Sequence, residues 1–267
     1  MLHRLRLFAV ALLVAVVMAR FAGARDAAPA TAVKTAAKDP TSLSFVTPAS
    51  VDFVKLLPAP PKADTEEAKA DLEVVLRVQQ TRTDAEVERA QSEAKLKMTA
   101  FTSVVGPWLT AENLPITAKL LKAAEKDSKF FSAAAKEHFG RKRPPNDARI
   151  KPKIDGEDEP SYPSGHATRG ILFATILAEL DPEQRDALMD RAREIGWDRV
   201  IAGVHYPSDI IAGRVLGQAL AQAMAANPRF QEELAAAKAE FSAAKKQFGQ
   251  VQEKGQASVE RKAGVER

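Results

Sequence analysis

Apolar residues recur every three to four positions from about residue 64 onward, and no segment shows the strict alternation of a half-buried strand. That period is helical. Asp64-Thr65-Glu66-Glu67 is a capping box leading into a helix over Ala68–Gln80, and Thr83-Asp84-Ala85-Glu86 leads into a second over Val87–Val105. Gly106-Pro107 breaks that helix, and Pro115 suits the first position of the next, which runs to Glu125. Asp127 or Ser128 caps a further helix to about Lys142, before Pro144-Pro145 stops it. Asn146–Pro163 is a loop rich in Pro, Asp and Gly, after which Ser164 opens a helix through Leu180. Asp181-Pro182-Glu183-Gln184 ends that helix and starts one to about Ala202, near Gly203. Pro207-Ser208 opens a long apolar helix through Ala226, Asn227-Pro228 ends it, and Arg229–Phe241 adds one more. The expected fold is all-α, a compact domain of roughly eight helices with no significant sheet.

The two ends of the chain read differently. Residues 1–24 carry a basic start, an unbroken apolar run over Leu7–Ala19 and the small residues Ala22-Gly23-Ala24, in the order of a secretory signal peptide. The run is shorter than a spanning helix needs, although an uncleaved anchor reaching through Arg20 is the alternative. Residues 25–46, rich in Ala, Pro, Thr and Lys, form a linker with little periodicity, and 47–241 are the folded domain. Residues 242–267 are a charged stretch, read as a solvated helix or a frayed tail. The expected location is periplasmic or secreted, with no stable membrane association after signal cleavage.

Composition narrows the chemistry. The chain has no cysteine, which removes thiol nucleophiles, Cys-ligated metals and disulfides. The formal charge of +4 owes three units to Arg4, Arg6 and Arg20. Removing those from 39 basic residues leaves 36 against 35 acidic, so nothing global points to nucleic acid. Oligomeric state is open, because apolar helix faces serve a homo-oligomer and a monomer's core alike.

Only His138, His166 and His205 follow residue 24. Ser164-Gly165-His166 stands at a helix start, where unpaired backbone N–H groups and the positive end of the dipole favour anions. Taken alone, Ser164 is equally an ordinary cap with His166 packed beside it. His205 lies in a bend before the last long helix. Asp209, four residues on, can accept a hydrogen bond from one ring nitrogen and leave the other as a nucleophile or base. The bland alternative is a surface histidine and a carboxylate that serves only the helix dipole. Lys136 and Arg143 are two helical turns apart, and Arg199 precedes the bend. Three cations in one site repel unless an anion enters, and a phosphate dianion matches the bidentate fork of Arg. His138 lies between the first two cations and reads as packing or support, with a substrate contact as the alternative.

The spacing Lys136-x6-Arg143-Pro144, Pro163-Ser164-Gly165-His166 and Asp198-Arg199-x5-His205-x3-Asp209 resembles the three motifs of the phosphatidic acid phosphatase type 2/haloperoxidase superfamily. The flanks and the stretch Ala223–Phe241 are similar to its soluble branch, the bacterial class A non-specific acid phosphatases. The resemblance spans roughly Phe45–Phe241 and departs from the pattern at Asp198, where Ser is usual. Asp198 is therefore expected to turn away from a bound anion or to brace Arg199. The acidic loop Asp155–Glu159 is expected to reshape the mouth of the site.

The resemblance implies hydrolysis of small phosphate monoesters at acid pH through a phosphohistidine, with no metal and no cofactor. His205 would be the nucleophile, Asp209 its orienting carboxylate and His166 the acid and then base. Lys136, Arg143, Ser164, Gly165 and Arg199 would bind phosphate. The alternatives are a lipid or isoprenoid phosphate phosphatase, a vanadium haloperoxidase-like enzyme and a non-catalytic phosphate-binding protein.

Overall fold

The computed structural model describes residues 42–155 and 158–265, with side chains to residue 249. The signal peptide and most of the linker expected from sequence lie outside the described residues. Nine helices stand among those described. They are α1 (Phe53–Leu56), α2 (Glu66–Thr81), α3 (Asp84–Ser92), α4 (Thr102–Val105), α5 (Pro115–Phe139), α6 (Gly165–Leu180), α7 (Arg185–Ile201), α8 (Pro207–Ala225) and α9 (Pro228–Val265). No strand occurs among these residues.

The α6 helix is the centre of the fold, and it packs against α5, α7, α8 and α9. It is apolar on most of its circumference, as a helix surrounded by others must be. Leu172, Phe173, Ile176 and Leu177 are all nearly inaccessible, and each such side chain contributes about 1.5–3 kcal/mol by leaving water. Glycines set how closely its neighbours approach. A Cβ on Gly213 of α8 would fall 2.5 Å from the Ser164 carbonyl oxygen, and one on Gly217 would fall 2.5 Å from that of Thr168. The backbones of α6 and α8 are therefore in direct contact at the start of α6. The amide of Ser164 reinforces this by donating to the Asp209 carbonyl at 3.0 Å.

Three expectations of helix extent are corrected. The helix over Val87–Val105 ends at Ser92, and a 3-10 turn (Met98–Phe101) and α4 follow. The interruption has a tertiary cause. Glu93 pairs with Arg191 of α7, its carbonyl meets the His166 ring, and Leu96, Met98 and Phe101 turn into the core. The two helices expected over Pro115–Lys142 are the single helix α5. Asp127 does not cap it, because its carboxylate accepts from the amides of Ser44 and Phe45, both at 2.8 Å. Gly140, at φ 59°, ends α5 in the left-handed conformation, ahead of Lys142.

The last helix does not stop at Phe241. Phe248 stacks on Trp108 with centroids 5.8 Å apart, and Lys245 binds the Asp181 carboxylate at 2.8 Å. Phe45 and Val46, at the end of the stretch read as linker, are buried in the core.

Candidate active site

The end of α5, the loop after it, the start of α6, the end of α7 and the start of α8 converge at one place. Ser164 caps α6, its hydroxyl accepting from the Ala167 amide at 3.3 Å. His205 follows the turn that ends α7, and its amide donates to the Arg199 carbonyl at 3.3 Å. The eight residues singled out from sequence, Lys136, Arg143, Ser164, Gly165, His166, Arg199, His205 and Asp209, all sit at these element ends. All but Gly165 are buried. A Cβ on Gly165 would meet nothing within 4 Å.

His205 is 1% exposed and Asp209 is inaccessible. The Nδ1–H of His205 donates to Asp209 Oδ2 at 3.1 Å, which fixes the tautomer and leaves Nε2 with its lone pair. That nitrogen accepts from Arg143 Nη1 at 3.1 Å. The same guanidinium donates to the Val204 carbonyl at 2.8 Å and from Nε to the Glu159 carbonyl at 2.6 Å. Burial, then Arg143, Arg199 and Lys136, hold the His205 imidazole well below its ordinary range.

His166 presents a different nitrogen. Its Nε2 lies 3.1 Å from the Glu93 carbonyl, so that nitrogen carries the proton. Nδ1 faces Arg169 Nη2 at 3.5 Å. Burial, then Arg199, Arg169 and His205, push this ring too well below its ordinary range. Both imidazoles are therefore neutral near pH 7, each fixed in one tautomer by a backbone or carboxylate acceptor.

The Asp198 carboxylate is committed to a partner on another helix. Arg89 of α3 grips its carboxylate from Nε at 2.9 Å and from Nη2 at 2.7 Å. Glu159 reaches back from the acidic loop to Lys136 Nζ at 2.9 Å. His138 lies against Phe53 and Phe139 and makes ring contacts there.

Sequence reasoning missed the layer behind Asp209. Arg141 donates to Asp209 Oδ1 and to Asp71 Oδ2, both at 2.7 Å, and its guanidinium lies 4.1 Å over the Tyr206 ring. Burial raises the Asp209 carboxyl, and Arg141 opposes that rise. Asp71 carried a readable signal. It shares the face of α2 with the buried Val75, one turn on, and an acid on a buried face needs a partner. Arg141 lies inside the Lys136-x6-Arg143-Pro144 motif, with nothing in the sequence to separate it from its basic neighbours.

Two buried imidazoles, His166 and His205, thus lie among the cations Lys136, Arg143 and Arg199 at converging helix ends. The family model described as the PAP2 superfamily matches residues 124–232, which include all eight residues. The non-specific acid phosphatase of Providencia stuartii is 31% identical over 207 residues, covering 74% of this chain and 84% of that one. That of Salmonella typhimurium is 30% identical over 203 residues, covering 72% and 81%. The crystal structure of a bacterial vanadium-dependent iodoperoxidase shares the helical fold at a TM-score of 0.51. It is 17% identical and covers 66% of this chain and 53% of that one. The chain belongs to the non-specific acid phosphatase family of the PAP2 superfamily, and it is a phosphatase.

Proposed function

We propose that the protein hydrolyses small phosphate monoesters without a metal, through a phosphohistidine on His205. The observation that carries this is the buried pair of His205 and Asp209, which leaves Nε2 aimed at Arg143. A substrate phosphate takes over the Arg143 hydrogen bond, and Nε2 then attacks phosphorus as the P–O bond to the leaving group breaks. His166, protonated on Nδ1, gives that proton to the leaving oxygen. Water then attacks the phosphohistidine and gives a proton back to Nδ1, and the P–N bond breaks with release of inorganic phosphate. Lys136, Arg143, Arg199, the Ser164 hydroxyl and the Gly165 amide hold the non-bridging oxygens.

The electrostatics favour acidic operation. Burial, and then the neighbouring cations, keep Nε2 of His205 unprotonated below the ordinary histidine range. They also resist the proton that His166 needs. An entering phosphate dianion offsets those cations, so His166 gains its proton together with the substrate.

We also propose export through residues 1–24, on the basic, apolar and small-residue pattern there. Among the described residues no helix is long and apolar enough to cross a membrane. N-terminal sequencing of the secreted protein tests the cleavage after Ala24.

The decisive assay is release of phosphate from p-nitrophenyl phosphate at acid pH, with and without EDTA. Unchanged turnover in EDTA and a 32P label trapped on His205 are expected. EDTA-sensitive turnover defeats the metal-free mechanism. His205→Ala should abolish turnover and keep phosphate binding, and full activity in that variant defeats the nucleophile.

A further inference from the structure

Glu159 engages two of the cations assigned to phosphate, each in a different way. Its backbone carbonyl holds Arg143 Nε at 2.6 Å, and its carboxylate holds Lys136 Nζ at 2.9 Å. The segment is pinned on its far side by Ser161, whose amide donates to the Arg141 carbonyl at 2.8 Å. The backbone contact therefore belongs to the loop's fixed path, and the side-chain contact can be exchanged. The two partners of that ion pair differ sharply in exposure. The Lys136 side chain is 8% exposed and that of Glu159 is 71% exposed. A buried ammonium needs a counterion, whereas an exposed carboxylate loses little on returning to water.

We propose that Glu159 is an affinity-determining residue, a built-in anion that competes with the substrate's phosphate for Lys136. This rests on the assignment of Lys136 to phosphate. The carboxylate neutralises Lys136 in the empty enzyme and is displaced when a phosphate oxygen takes its place. Every phosphate ligand then binds more weakly than the cations alone would allow, and the product leaves more easily for the same reason.

The test is Glu159→Gln, which keeps the side chain's shape and removes its charge, with Asp158→Asn as control. Asp158 is an exposed neighbour, so the control removes the same charge from the loop without the Lys136 contact. Isothermal titration calorimetry with inorganic phosphate reads affinity independently of turnover. E159Q should tighten phosphate binding about fivefold, the scale of one partly exposed ion pair. In aryl phosphate hydrolysis KM should fall in parallel while kcat stays within about twofold. The empty variant should melt lower than wild type and gain more from added phosphate, because its Lys136 has lost an anion that phosphate can replace.

Unchanged or weaker phosphate binding in E159Q overturns the proposal, and so does an equal gain in D158N. A fall in kcat with KM unchanged marks Glu159 as structural and also overturns it. Failure of the wild type to release phosphate from any monoester would count against the phosphatase mechanism, and the calorimetry would still decide the role of Glu159.

Discussion

Gly213 tests whether the helix crossing positions the chemistry. A Cβ there would lie 2.5 Å from the Ser164 carbonyl oxygen and 2.9 Å from Ala167 Cβ. Neither neighbour is the tip of a flexible side chain. One is the backbone at the cap of α6, and the other is locked in its first turn. Relief requires α6 and α8 to separate by roughly 0.5–1 Å, and overpacking of this kind costs about 1–3 kcal/mol. For a domain of this size that lowers Tm by roughly 2–4 °C per kcal/mol. The same separation pulls Ser164 and His166, on α6, away from His205 and Asp209, at the head of α8. A displacement of that size at reacting groups costs about tenfold to a hundredfold in rate. Gly213→Ala should therefore lose both Tm and kcat/KM, measured by calorimetry and aryl phosphate hydrolysis. Gly165→Ala is the contrast, since its Cβ meets nothing within 4 Å. It should melt like wild type and bind inorganic phosphate at least about tenfold more weakly, because the methyl occupies the anion's approach to the amide. Wild-type Tm and rate in Gly213→Ala would refute the idea that the crossing sets the site.

Two further predictions follow from the site's electrostatics. In an NMR titration of the ligand-free enzyme, His205 and His166 should both protonate below 6.5, and Lys136→Met, which removes one cation, should move His205 upward. Protonation of His205 at 6.5 in wild type would contradict the caged arrangement. Because both rings protonate near 6.5 only when unfolded, their contribution to stability is complete above 6.5 and is lost as pH falls toward their folded values. Added phosphate should lessen that loss, read as Tm against pH with and without it. Arg89→Ala leaves the Asp198 carboxylate, 1% exposed, without its bidentate partner. It should cost about 2 kcal/mol, below the range for a fully buried pair because water reaches the Arg89 side. Arg89→Ala combined with Asp198→Ser should recover most of that loss, and equal losses in the single and double variants would contradict the pairing.

Local signals in the chain were enough to place most elements of the fold. Thr83 and Glu86 form the capping box that their spacing announced, Pro115 stands first in its helix, and Ser164 caps α6. These are interactions within one turn, so the residues that make them are neighbours in sequence. The eight candidate residues were readable for the same reason, since each motif lies within a single chain break. Non-local contacts decided what local pattern missed. Gln91–Lys97 has helix-forming composition, yet α3 stops at Ser92 because Arg191, 98 residues on, and His166, 73 residues on, take hold of Glu93. Asp127 has the right type for a cap, but its carboxylate is spent on the amides of Ser44 and Phe45, and α5 continues past it. Motif spacing told which residue types would meet, and only packing determined which nitrogen of each imidazole carries the proton. The acceptors that set this differ in kind. A carboxylate one turn away holds Nδ1 of His205, and the backbone of a distant loop holds Nε2 of His166. Hydrogen bonds of the first kind are written into a four-residue interval, whereas those of the second exist only once the helices have closed around one another.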